Sequence, residues 1–186
     1  PTKNLGALGD GGAVVTDDPA LDAAVRRLRM YGYRAPDEAA HTGVNSRLDE
    51  LQAAFLSECL PLLGGWNARR RALAEVYLRE LAGLPLTLPS THARARHAWH
   101  LFVVRHPDRD GLRARLEARG VGTKVHYPRP VHRQDGYREA CRVGPGGLAV
   151  SDSIAATAVS LPLYPELTDA EAARVAGAVR EACRAA

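Results

Sequence analysis

Apolar side chains recur every three or four positions in some stretches of the 186 residues and alternate in others, and the change of period marks the elements. Leu21, Val25 and Leu28 fall at helical spacing after Asp18-Pro19, where an aspartate cap and a proline at the first helical position open a helix that closes by Gly32. Before it, Gly11-Gly12 turns into Ala13-Val14-Val15-Thr16, which reads as a short buried strand. Residues 33–44 mix glycine, proline, histidine and charge without a period and read as a loop. A second helical stripe follows Asn45-Ser46, with Ser46 as its cap, and runs through Leu48, Leu51, Phe55, Cys59 and Leu62. Pro61 and Gly64-Gly65 interrupt it, and Leu73, Val76 or Tyr77, Leu81 and Leu84 resume it. The expectation is a kinked or broken helical pair whose apolar face bridges two lobes.

Residues 83–96, with two prolines and scattered polar side chains, read as a linker. From Trp99 the pattern predicts a compact alternating unit: a strand at 99–105, a helix at 110–119 ending at Gly120, and a strand at 121–127. In that second strand Val121, Thr123, Val125 and Tyr127 share one face, and Lys124 and His126 the other. Tyr127 therefore reads as core and His126 as facing the polar side. A loop rich in proline and glycine leads to a helix at 151–157, a short strand near 158–161 and a final helix opened by Thr168, which forms a capping box with Glu171. The whole reads as α/β with a small C-terminal domain, without internal repeats or low-complexity tracts.

Composition adds limits. At 46% apolar the chain can bury a real core and make one or two domains. The net charge of +4 is mild, and the arginines are spread along helical segments as solvated faces, not gathered in the basic stripe expected of a nucleic-acid binder. Cys59, Cys141 and Cys183 are far apart and odd in number, as reduced cysteines of a cytoplasmic protein are. No apolar run is long enough to span a bilayer, and no charged start followed by an apolar stretch marks a signal peptide in these residues. His97 with His100, or His126 with His132, could be paired on paper, but neither pair has a second ligand group at zinc spacing, so no metal is expected. Gly6, Gly9, Gly11 and Gly12 form neither a dinucleotide fingerprint nor a Walker loop.

The candidate chemistry begins at Lys3, one lysine in a glycine-rich turn. Taken alone it is either a solvated lysine close to a chain end or a Schiff-base former, since a lysine becomes a nucleophile only where neighbours lower its pKa and fix its nitrogen. Residues 1–16, Pro-Thr-Lys-Asn-Leu-Gly-Ala-Leu-Gly-Asp-Gly-Gly-Ala-Val-Val-Thr, resemble the lysine segment of the DegT/DnrJ/StrS family of sugar aminotransferases. The resemblance continues through Gly43-Val44-Asn45-Ser46-Arg47-Leu48-Asp49-Glu50-Leu51-Gln52-Ala53-Ala54, Trp99 to Arg105, His126-Tyr127-Pro128 and Ser160 to Leu167, in the family's order and over nearly the whole chain.

That resemblance implies the aspartate aminotransferase fold: the C-terminal part of a fold-type I pyridoxal-phosphate transferase. Residues 1–45 would end the large domain, 46–84 would be bridging helices and 85–186 the small α/β domain. It implies that Lys3 forms the Schiff base with pyridoxal 5′-phosphate and shuttles the proton, where dehydrating relatives carry histidine. Asn45 would reach the cofactor phosphate of the neighbouring subunit in a homodimer; as a residue before a helix it could equally cap the first turn. Arg47 would clamp the diphosphate of a nucleotide-linked keto-sugar, or be an exposed first-turn arginine. His126 would approach the substrate. Glutamate or glutamine would supply the amine. Leu148-Ala149-Val150-Ser151-Asp152 departs from the family's Pro and Glu. The family's N-terminal half, with the acid for the pyridine nitrogen and the stacking aromatic, has no counterpart in these residues, so this polypeptide by itself is expected to be inactive. The alternative function is a non-catalytic remnant or interaction module.

Overall fold

Asp18 opens the first helix with its side chain: Oδ1 accepts from the amides of Ala20 (2.8 Å) and Leu21 (3.3 Å), and Pro19 takes the first position. Helix α1 (Pro19–Leu28) follows in the computed structural model, which describes residues 1–184. They divide at Gly64/Gly65 into two compact units.

In the first unit the backbone after α1 crosses itself. Gly32, at φ 77°, and Gly43 touch backbone to backbone, and a Cβ on Gly43 would overlap the Gly32 amide nitrogen. Val44 donates to the Leu28 carbonyl (2.8 Å) and Tyr31 to the Val44 carbonyl (3.0 Å). The expected loop at 33–44 holds a small antiparallel hairpin, β1 (Tyr33–Ala35) with β2 (Glu38–Ala39), turned at Asp37 with φ 63°. Strands of three and two residues leave too little alternation to be read.

Two expectations fail here. Residues 13–16 form no strand: among the described residues no segment pairs with them, and Val14 and Val15 are exposed. A strand exists only where a neighbour takes its amides and carbonyls. The second helix does not start at Ser46. Helix α2 spans Glu50–Cys59 with Asp49 at its cap position, because Ser46 is bonded to the end of α1 and Leu48 turns into the left-handed region at φ 64°. A 3-10 turn at Leu60–Leu62, carrying Pro61, then breaks the helix as expected, but Gly64 and Gly65 lie inside the next one, α3 (Leu63–Glu80).

The second unit is built on the apolar stripe of α3. Leu73, Ala74, Tyr77 and Leu81 are buried, with the Tyr77 hydroxyl donating to the Pro162 carbonyl at 2.8 Å. They pack with β3 (Phe102–Arg105), α4 (Arg109–Glu117), β4 (Ala158–Leu161) and α6 (Asp169–Arg184), and α5 (Ala149–Thr157) leads directly into β4. β3 pairs antiparallel with β4, Phe102 opposite Leu161 and Val104 opposite Val159, so the inward residues of both strands enter one core. β3 begins three residues later than expected because Trp99 sits at φ 46°, its amide donating to His97 Nδ1 at 2.8 Å.

The expected strand at 121–127 shrinks to a single bridge, Lys124 to Ser160. Pro128 and Pro130 follow closely and have no amide to extend a ladder. Tyr127 is exposed at 67%, not core. The capping box of α6 forms as read: Thr168 Oγ1 accepts from the Glu171 amide (3.2 Å), and Glu171 Oε2 accepts from the Thr168 amide (2.8 Å). No helix of the described residues is long and apolar enough to cross a membrane.

Candidate functional site

The segment between α1 and α2 lines an open cleft of about 980 Å³ together with residues 10–14 and α1. Its wall is set by Arg29, the residue that closes α1. Arg29 Nε donates to the Ser46 carbonyl (3.1 Å), its Nη2 donates to the Arg47 carbonyl, and its own carbonyl accepts the Ser46 amide (3.0 Å). Asn45 bridges to Met30 through the backbone.

With the backbone so held, Arg47 Nε donates to Asn45 Oδ1 at 3.1 Å, and the guanidinium lies 5.8 Å from the centre of the Tyr31 ring. Two consequences follow for charge. The Asn45 oxygen accepts from Arg47, which leaves its NH₂ as the side chain's donor. Arg29 and Arg47 end on carbonyls, an amide and a ring, with no carboxylate ion pair among the described residues, whereas Arg26 is paired with Asp22 at 2.9 Å and held more firmly charged by it. Asp10 and Asp49 also line the cleft, and Gln52 from α2 donates to the Asp10 carbonyl at 3.0 Å. Neither Asn45 nor Arg47 lies in a helix, so neither helix reading of these residues holds.

Lys3 is exposed on a turn in which its carbonyl accepts the Gly6 amide (3.1 Å) and the Pro1 carbonyl accepts the Ala7 amide (3.0 Å). It belongs to the same unit as Asn45 and Arg47 but is not among the residues lining their cleft. His126 belongs to the second unit, half-buried, with Nδ1 2.8 Å from the Ser160 hydroxyl and its ring edge-on to Tyr127. Asn45 and Arg47 are thus in direct contact, Lys3 lies in the same unit outside that contact, and His126 belongs to the other unit.

Three features escape a linear reading. Arg29 looks like any arginine at a helix end. Arg70, inside Arg69-Arg70-Arg71, is buried, against the expectation of solvated arginines; its Nη1 faces the carbonyls of Leu163 (2.9 Å), His100 (3.2 Å) and Trp99 (3.3 Å), and burial lowers its pKa. Its helical spacing from Leu73, Ala74 and Tyr77 was the available signal. Asp152, in the word that departs from the family's Pro and Glu, accepts both prongs of Arg133 at 2.7 Å and lies 3.1 Å from His132 Nε2; the Arg133 guanidinium holds its carboxyl below the usual range. Cys59 and Cys183 are buried and Cys141 is half-buried, all as free thiols. Among the described residues no group of three or more His, Cys, Asp or Glu could hold a metal.

Comparison with known proteins agrees with these words and this fold. The chain is 50% identical over 183 residues to a dTDP-3-amino-3,4,6-trideoxy-alpha-D-glucose transaminase of Streptomyces venezuelae, covering 97% of this chain and 48% of that protein. It superposes on the crystal structure of S. venezuelae DesV in complex with a ketimine intermediate with a TM-score of 0.91 at 49% identity, covering 96% of this chain and 48% of that one. It superposes on NtdA of Bacillus subtilis, solved with the bound cofactor PMP, with a TM-score of 0.87 at 30% identity, covering 97% of this chain and 43% of that one. The chain therefore spans about half the length of the relatives it matches. The cofactor that goes with this fold and these relatives is pyridoxal phosphate. The model of the DegT/DnrJ/EryC1/StrS aminotransferase family matches residues 1–180, nearly the whole chain, and this chain belongs to that family.

Proposed function

We propose that this chain is part of a pyridoxal-phosphate-dependent aminotransferase that converts a keto group on a nucleotide-linked sugar to an amine, with glutamate or glutamine as donor. In this reading the protein is a cytoplasmic homodimer. Residues 1–45 end its large domain, 46–84 bridge, and 85–186 form its small domain. What carries the reading is the intact lysine word of a family member half-identical to a dTDP-amino-sugar transaminase.

The side chains present fit the cofactor. Lys3 is an exposed primary amine, able to bond an aldehyde, and the NH₂ of Asn45 and the terminal nitrogens of Arg47 are donors suited to phosphate oxygens. When bound, pyridoxal phosphate supplies an electron sink for the carbon that loses its proton. Lys3 would hold the cofactor through its Nζ, and as a free amine the same nitrogen would be the acid-base group that moves the proton. Asn45 donates to the cofactor phosphate of the neighbouring subunit, Arg47 clamps the diphosphate of the sugar nucleotide, and His126, oriented by Ser160, approaches the sugar.

The test is borohydride reduction of the full-length holoprotein followed by peptide mapping. The pyridoxyl label is expected on Lys3, and label on another lysine overturns the assignment. Lys3→Ala should lose the absorbance of the bound cofactor and slow amino transfer by at least about 10²–10⁴-fold while leaving the fold intact, because an exposed turn lysine contributes little packing. Turnover of keto-sugar nucleotides in preference to the free keto-sugars is expected, and the reverse preference counts against the substrate class.

A further inference from the structure

Resting on the reading of Arg47 as a diphosphate clamp, we propose that Arg29 is a positioning residue that sets substrate affinity by holding the Ser46–Arg47 backbone. One residue makes three bonds to two: its amide-side carbonyl takes the Ser46 N–H, and its guanidinium grips the consecutive carbonyls of Ser46 and Arg47. Successive carbonyls turned to the same donor fix the peptide between them and hence the direction in which the Arg47 side chain leaves the backbone. The next residue, Leu48, stands at φ 64°. A leucine is disfavoured there by its Cβ, and such a conformation persists only when its surroundings impose it.

The grip has a chemical result. Arg47 spends its Nε on Asn45 and stands 5.8 Å from the centre of the Tyr31 ring, among the residues that line the cleft. A fork matched to paired anionic oxygens depends on orientation, because both N–H···O contacts must form together. Arg29 itself satisfies carbonyls without a carboxylate partner among the described residues, so its charge adds to the attraction for an anion instead of cancelling it. A lysine in its place keeps the charge, but one ammonium cannot reproduce the planar two-pronged grip.

The experiment compares Arg29→Met, Arg29→Lys, Arg47→Met and the double variant of the full-length holoenzyme in steady state. Arg29→Met is expected to raise KM for the keto-sugar nucleotide about tenfold or more, with a smaller change in kcat. Arg29→Lys should raise KM severalfold despite the retained charge. The double variant should be no worse than Arg47→Met alone, since both remove one interaction. Wild-type KM in Arg29→Lys, or independent multiplication of the two single effects, overturns the proposal. If Arg47→Met raises KM and Arg29→Met does not, the clamp stands and only the role of Arg29 falls; if Arg47→Met leaves KM unmoved, the clamp fails and takes the proposal with it.

Discussion

Arg70 carries a charge into the core of the second unit, where one nitrogen bearing two hydrogens serves three carbonyl groups from two separate turns, at Trp99-His100 and Leu163. Its Nε has no hydrogen-bond partner among the described residues. Arg70→Met removes these bonds while keeping an apolar stem, so the protein should lose about 2 kcal/mol, read as a lower urea midpoint with an unchanged slope. A neutral result would mean that the stem alone matters. Asn45 poses the opposite case, an exposed residue whose chemistry outweighs its packing. In Asn45→Asp the new carboxylate still accepts from Arg47, but the NH₂ donor is gone and a negative charge faces the proposed phosphate. Cofactor retention by the full-length protein should fall by roughly tenfold or more, further than in Asn45→Ala, as measured by titrating the cofactor absorbance. Neither role could be read locally. Arg70 stands in a run of arginines that resembles a wet helix face, and the partner of Asn45 is decided by where Arg47 is aimed, which depends on Arg29 far back in the chain.

Elements with local causes were legible, and those with distant causes were not. α1 and α6 start where Asp18 and Thr168 place their caps, because a cap and its amides lie within one turn of each other. α2 starts late because a tertiary contact to α1 holds Ser46, and residues 13–16 stay unpaired although their apolar, β-branched run after Gly11-Gly12 suits a short buried strand. Gly43 joins the two cases: it stands in a family word, yet its reason is the crossing with Gly32. The cap of α6 also makes stability pH-dependent. Hydrogen bonds from the Thr168 amide and hydroxyl lower the Glu171 pKa in the folded state. Its contribution is therefore present in full above the ordinary glutamate range, roughly pH 4–5, and is lost as pH falls through the depressed folded value. Glu171→Gln should flatten the acid limb of a plot of melting temperature against pH, and Thr168→Ala should lower melting by a few degrees at neutral pH. An unchanged acid limb in Glu171→Gln would remove Glu171 from the account.

At the scale of the molecule, the two units differ in what they bury. The second has a continuous core, with Leu73, Tyr77, Phe102, Val104, Leu112, Leu116, Val159 and Val179 all inaccessible. In the first, α1 buries nothing, Cys59 is the buried apolar side chain among the described residues, and Leu8, Val14, Val15, Val44 and Leu51 face solvent. Family words run through both, which is why fold class could be read over the whole chain while the independence of its parts could not: a motif marks descent and chemistry, and burial marks which segments hold themselves together. Ordering a residue costs about 1–2 kcal/mol of backbone entropy, and only buried surface and satisfied hydrogen bonds offset it. Residues 65–186 produced alone should therefore unfold in one cooperative urea transition, with near-ultraviolet dichroism from the buried Trp99 lost in the same step. Residues 1–64 alone should show no sigmoidal transition and no protected amides. Cooperative unfolding of 1–64 would mean that the first unit holds together without a buried core, and a gradual loss of structure in 65–186 would mean that the core of the second unit does not carry its stability.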